Sequence, residues 1–102
     1  MRIVWSPLAI EKAYEAARYI AQDKPDAALA WLDGLFESTD HLAQFPLSGR
    51  VVPEIGSSEF RELIYRHSYR IIYRVEKSKV SILTGRNFAQ KLDTSLLTSA
   101  EE

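Results

Sequence analysis

The chain contains no cysteine, which excludes disulfides, thiol nucleophiles and thiolate metal sites together. Its two histidines, His41 and His67, are too few and too unaccompanied to suggest a metal centre. The four glycines, Gly34, Gly49, Gly56 and Gly85, stand apart from one another, so there is no phosphate-cradling glycine loop. Ser57-Ser58 lacks the glycine-flanked setting of a nucleophile elbow. No run approaches the ~18 apolar residues of a membrane span, and no continuous apolar stretch follows Arg2 as it would in a signal peptide. Neither sign of charge dominates: 13 Lys and Arg face 14 Asp and Glu, for a formal net charge of −1. The whole molecule is therefore not an attractor of polyanions. From these absences we expect a cytoplasmic protein with no cofactor and no metal.

What is present points to one folded domain. A chain of 102 residues leaves no room for two. Hydrophobic residues make up 46% and charged residues 26%, close to ordinary soluble domains. The expected domain spans residues 1–92. The polar tail 93–102, apolar only at Leu96-Leu97, is expected to be helical or disordered.

Arg2 to Trp5 reads as a first strand. Ser6 can cap the helix that follows, and Pro7 suits its first position. Ile10, Ala13, Ala17 and Ile20 then recur at helical spacing, which predicts a helix to about Asp23. Asp23-Lys24-Pro25-Asp26 breaks it, since a proline disfavours helix in the residue before it. A second helix carries Ala28, Trp31, Leu32, Leu35, Phe36 and Leu42 and is expected to end near Gln44-Phe45-Pro46. Pro46, Gly49, Pro53 and Gly56 mark a loop, with a short extended piece at Arg50-Val51-Val52. Three strand-like runs close the domain: Phe60–Tyr65, Tyr69–Val75 and Val80–Thr84, with gaps short enough for hairpins. The expected fold is α+β: an N-terminal strand, an antiparallel helix hairpin and a three-stranded antiparallel meander, with the helices on one face of the sheet.

Trp5-Ser6-Pro7-Leu8-Ala9, Arg61-Glu62-Leu63 and Tyr69-Arg70-Ile71-Ile72-Tyr73-Arg74-Val75, in this order along the chain, resemble the ParE/RelE toxin superfamily, most closely its ParE-like branch. Trp5-Ser6-Pro7-Leu8-Ala9 resembles the opening strand and cap, and Tyr19 to Ala28 the turn between the helices. Phe45-Pro46-Leu47-Ser48-Gly49-Arg50 with Val52-Pro53-Glu54 resembles the ParE loop. Arg61-Glu62-Leu63 and Tyr69-Arg70-Ile71-Ile72-Tyr73-Arg74-Val75 are the most specific matches. The resemblance implies the toxin of a type II toxin–antitoxin module, neutralised by a cognate antitoxin and acting on DNA gyrase. Two alternatives go with it. One is a RelE-like ribosome-dependent mRNA endoribonuclease, and the other is a member that only binds antitoxin.

Metal-free RNA cleavage needs acid and base groups and cations for phosphate. The resemblance places Arg70 and Arg86 among the phosphate-binding positions of RelE-like enzymes. Asn87 stands where those enzymes have a second arginine, and Asp93 falls about where a tyrosine belongs. Neither replaces the missing group, so the resemblance favours the ParE branch.

Alternation along the strand puts Arg70, Ile72 and Arg74 on one face and Ile71, Tyr73 and Val75 on the other. The second set is expected to meet the helices. The first, with Arg61, Leu83 and Arg86 nearby, is expected on an uncovered face that binds the antitoxin or the target. Glu54, Glu59 and Glu62 are candidate general bases, with surface or antitoxin-contact roles expected instead. Tyr65, Tyr69 and Tyr73 are read as packing residues and not as base-stacking platforms. Trp5 and Trp31 are read as core anchors. His67 is expected exposed in a turn.

Overall fold

A computed structural model describes residues 1–88. The expected tail at 93–102 and Asp93 lie outside them. The chain opens with β1 (Arg2–Trp5), followed by α1 (Pro7–Ala21) and α2 (Pro25–Glu37). After a 3₁₀ segment at Asp40–Ala43 come β2 (Arg50–Val51), β3 (Phe60–Tyr65), β4 (Tyr69–Val75) and β5 (Lys79–Asn87).

Ser6 sets the first boundary. Its Oγ accepts a hydrogen bond from the Ala9 amide at 3.0 Å, capping α1, and donates to the Leu83 carbonyl at 2.9 Å. Pro7 occupies the first turn, as its fixed φ and missing N–H allow. The alanines at 9, 13 and 17 form the buried stripe of α1. Small side chains at this spacing let the helix axis come close to the sheet.

The second helix is shorter than its apolar period suggests. It ends at Glu37 because Ser38 and Thr39 turn their hydroxyls back on the carbonyls of Leu35 (2.6 Å) and Phe36 (2.9 Å). Such side-chain bonds compete with helical ones. The 3₁₀ segment that follows still delivers Leu42 to the core, which is why the apolar stripe reads as unbroken.

The sheet order is β1-β5-β4-β3-β2. The expected meander forms β3, β4 and β5, all antiparallel. β1 pairs parallel with β5, and the short β2 completes the other edge against β3. Between β4 and β5 the register shifts after Ile72, leaving Leu83 as the extra residue of a bulge. The turn from Arg66 to Ser68 holds Arg66 and His67 at positive φ, 48° and 69°. That conformation disfavours non-glycine residues.

The main core lies between the helices and one sheet face. Trp31 and Leu35 meet Tyr65, Tyr69, Ile71, Tyr73, Val80 and Ile82 there. Trp31 stands edge-on to Tyr65 and Tyr69, with centroids 5.5 and 5.1 Å apart, and Trp5 does the same to Phe36 at 4.7 Å. Such contacts add to area burial by roughly 0.5–1.5 kcal/mol each. All three tyrosines are thus packing residues.

Candidate binding face of the sheet

Opposite the helices, register places Glu62 beside Ile72, Ile64 beside Arg70, and Arg70 beside Arg86. Residues paired across strands share a face. Arg70, Ile72, Arg74 and Arg86 therefore lie together, as alternation predicts. Arg61 does not join them. It pairs with Tyr73, whose ring belongs to the helix-side core.

The face is not uncovered. Ile72 is 0% exposed, Leu83 6% and Arg70 5%. The segment between β2 and β3 folds across it, and Val52, Phe60, Ile72 and Leu83 form a second small core with Ile55 against it. Amides within that segment bond locally, Gly56 to the Val52 carbonyl at 2.9 Å and Phe60 to Ser57 at 3.1 Å. Gly56 turns at φ 74°, a conformation glycine adopts without strain.

The same segment carries Glu54 and Glu59, and with Glu62 of β3 they pair with Arg50, Arg70 and Arg74. Glu54 accepts two hydrogen bonds from Arg70, from Nη1 at 2.7 Å and Nη2 at 2.8 Å. Arg70 Nε donates to Glu62 Oε1 at 2.7 Å, and Arg50 bonds the other Glu62 oxygen. The result is an ionic ladder, Arg50–Glu62–Arg70–Glu54, with two charges of each sign. Glu62 is buried, so each of its oxygens needs such a partner. Further along, Arg74 Nε donates to Glu59 Oε2 at 2.9 Å and its guanidinium lies over Phe60.

These contacts decide the chemistry. The Arg70 hydrogen bonds hold the Glu54 carboxyl below its ordinary pKa. The same bonds, which Arg70 donates to Glu54 and then to Glu62, push Arg70 further up, away from any proton exchange near neutrality. Glu54, Glu59 and Glu62 are ion-pair partners in the fold, not waiting general bases. Arg86 is placed differently: its Nε is buried without a hydrogen-bond partner, as is the Thr84 hydroxyl on the same strand.

Arg61 works at the sheet margin. Its Nε donates to the Ser58 carbonyl at 2.9 Å, and its Nη1 to Leu47 at 3.2 Å and Gly49 at 2.9 Å. His67 is exposed in its turn, and His41 Nε2 pairs with Ser48 Oγ at 3.0 Å. Among the described residues no group of three acidic, cysteine or histidine side chains is placed to hold a metal.

A surface cavity of about 630 Å³ lies between α1 and the ends of β4 and β5, lined by Lys12, Glu15, Tyr19, Trp31 and Tyr69 among others. The Tyr69 hydroxyl is buried there without a partner, and burial pushes it up to about 12.

Sequence reading missed the pairing of Glu62 with Arg70. The signal was present: a three-residue turn at 66–68 sets Tyr65 opposite Tyr69, and counting back puts Glu62 on the Ile72 face. The part played by Glu54 had no such signal, because its segment has no strand or helix period.

A family model described as the ParE toxin of type II toxin–antitoxin systems matches residues 3–84. The chain belongs to the ParE toxin family. A candidate toxin of Sinorhizobium fredii named Y4kP is 38% identical over 84 residues, covering 81% of this chain and 83% of that protein. A solved structure titled as the chromosomal ParDE toxin–antitoxin system from P. aeruginosa shares the fold, with a TM-score of 0.73. At 19% identity it covers 85% of this chain and 95% of the other. In this ParE-family chain, then, the strand from Tyr69 to Val75 is a structural spine whose arginines are already paired within the fold.

Proposed function

We propose that this ParE-family toxin arrests growth in the cytoplasm by binding DNA gyrase, and that a cognate antitoxin neutralises it by folding onto its surface. One observation carries the choice against RNA cleavage. Arg70, the position that matches a RelE-like phosphate ligand, has Nε, Nη1 and Nη2 committed to Glu54 and Glu62. Phosphate could reach it only by displacing two carboxylates. Asn87, which pairs with Tyr69 on the neighbouring strand, is neutral.

Of the residues expected to contact a partner, Ile72, Leu83 and Arg70 shape the face from beneath. Arg74 and Arg86 are only partly buried and are the proposed contacts on that side.

Inducing the chain alone and with its antitoxin tests the reading. Arrest relieved by the antitoxin, with broken DNA, intact messages and inhibited supercoiling by purified gyrase, is the expected outcome. Cleaved messages that become intact with Arg86→Ala would transfer the function to RNA cleavage. Arrest with unaffected gyrase would remove the target and keep the toxin. A chain that binds antitoxin but never arrests growth would be a binding-only member.

A further inference from the structure

The loop between the 3₁₀ segment and β2 holds two large apolar side chains in solvent: Phe45 is 61% exposed and Leu47 59%. Single exposed apolar residues are ordinary. This pair differs in how its backbone is held. The Tyr73 hydroxyl donates to the Pro46 carbonyl at 2.8 Å and accepts from the Gly49 amide at 2.9 Å. Arg61 grips the carbonyls of Leu47 and Gly49. His41 meets Ser48 from the other side.

Gly49 makes the arrangement possible, because a Cβ there would stand 2.5 Å from the Tyr73 hydroxyl and 2.6 Å from the Glu62 carbonyl. The loop is thus clamped by a core tyrosine and a strand arginine, and what it presents outward is Phe45 and Leu47. Preorganised apolar anchors lose little entropy on association.

The surrounding charge names the partner. The three hydrogen bonds of Arg61 all go to carbonyl oxygens, so no carboxylate among the described residues is ion-paired with it. Arg50, at the end of the loop, engages Glu62 through Nε while its side chain stays 54% exposed. Two arginines thus flank the apolar pair in a chain whose net charge is −1. Complementarity calls for a segment with apolar side chains bracketed by carboxylates.

We propose that the 45–49 loop is a docking surface for an acidic, apolar-anchored segment of the antitoxin, positioned by Arg61 and Tyr73. This rests on the toxin–antitoxin reading above. It moves the expected contact away from Ile72 and Leu83, which the fold has already buried.

The test is titration calorimetry of the purified full-length toxin with its co-expressed antitoxin, then with Phe45→Ser/Leu47→Ser, Leu47→Glu and Leu47→Lys. We expect the double variant to bind roughly 30-fold more weakly or worse, as for anchor residues. Leu47→Glu should lose clearly more than Leu47→Lys, an order that a merely structural role would not produce. Wild-type affinity should also fall with added salt. Affinity within about threefold of wild type for all three variants overturns the inference and leaves the toxin reading standing. Intact antitoxin binding with lost gyrase inhibition overturns it too and assigns the loop to the target. A wild-type chain that neither binds antitoxin nor arrests growth overturns the toxin reading and this inference together.

Discussion

The two faces of one sheet are buried by different means. On the helix side, aliphatic and tyrosine side chains meet Trp31 and Leu35, and two of the three tyrosine hydroxyls find backbone partners: Tyr65 donates to Trp31 at 2.8 Å, and Tyr73 bonds the 45–49 loop. On the other side a smaller apolar cluster sits beside a chain of four charges. The first face tolerates imperfect geometry because dispersion and burial are non-directional. The second does not, because each charge depends on its neighbour for solvation. Apolar packing therefore sets where the helices lie, and the ion pairs fix how the 52–59 segment closes on the sheet.

The sharpest way to break that contrast is to remove one charge. Glu62→Ala leaves Arg50 and Arg70 facing each other, and should cost about 3–5 kcal/mol in urea unfolding. Leu35→Ala, an ordinary cavity on the helix side, should cost about 2–4 kcal/mol. If Glu62→Ala proved the milder of the two, the ladder would be a surface decoration and the contrast would fail.

A second comparison uses pH. Burial raises the Tyr69 hydroxyl to about 12. A raised folded pKa means the unfolded tyrosine ionises first as pH increases. Stability is therefore full below about pH 10 and falls as pH rises toward 12, by roughly 2 kcal/mol. Tyr69→Phe should make that alkaline slope shallower, leaving the part contributed by Tyr65 and Tyr73, which burial also raises. It should also cost little at neutral pH, since the hydroxyl has no partner to lose.

Glu54 runs the opposite way. Its lowered pKa gives a contribution present above the ordinary carboxylate value, near ~4.3. That contribution is lost as pH falls through the lowered folded value. With the Glu54 side chain 37% exposed, screening limits the effect to no more than about 1 kcal/mol. Glu54→Gln should remove it and leave acid unfolding correspondingly flatter. The smallest expected effect is a gain: His67→Gly in the positive-φ turn should stabilise by about 0.5 kcal/mol, read as a shift in the thermal midpoint.

How much of this was legible varied with the range of the interactions involved. The first helix was read correctly because its signals are local: a serine cap, a proline and alanines at helical spacing. The meander was legible because its two turns are short. The end of the second helix was not, since Leu42 continues the apolar period while Ser38 and Thr39 stop the helix with their own hydroxyls. Parallel pairing of β1 with β5 left no mark in either strand.

The candidate face was half legible. Alternation correctly grouped Arg70, Ile72 and Arg74, whereas Arg61, expected near them, pairs with Tyr73 of the helix-side core. Nor could alternation reveal that Glu54, sixteen residues before Arg70 in an aperiodic segment, closes over them. A covering loop is a long-range contact, and periodicity reports only on neighbours. The clamp on Phe45 and Leu47 was hidden for the same reason, since Tyr73 and Arg61 reach the loop from strands much later in the chain.

Ser6 has a consequence for the timing of synthesis. Its backbone amide bonds the Ile82 carbonyl at 2.9 Å, and its hydroxyl reaches Leu83. The N-terminal strand thus has no sheet to join until the codons for β5 have been translated and that strand has cleared the ribosome. Until then the helix hairpin can form from local contacts while its apolar face waits. A growing chain therefore cannot close its sheet until its last strand has been made, and the fold completes only near the end of synthesis.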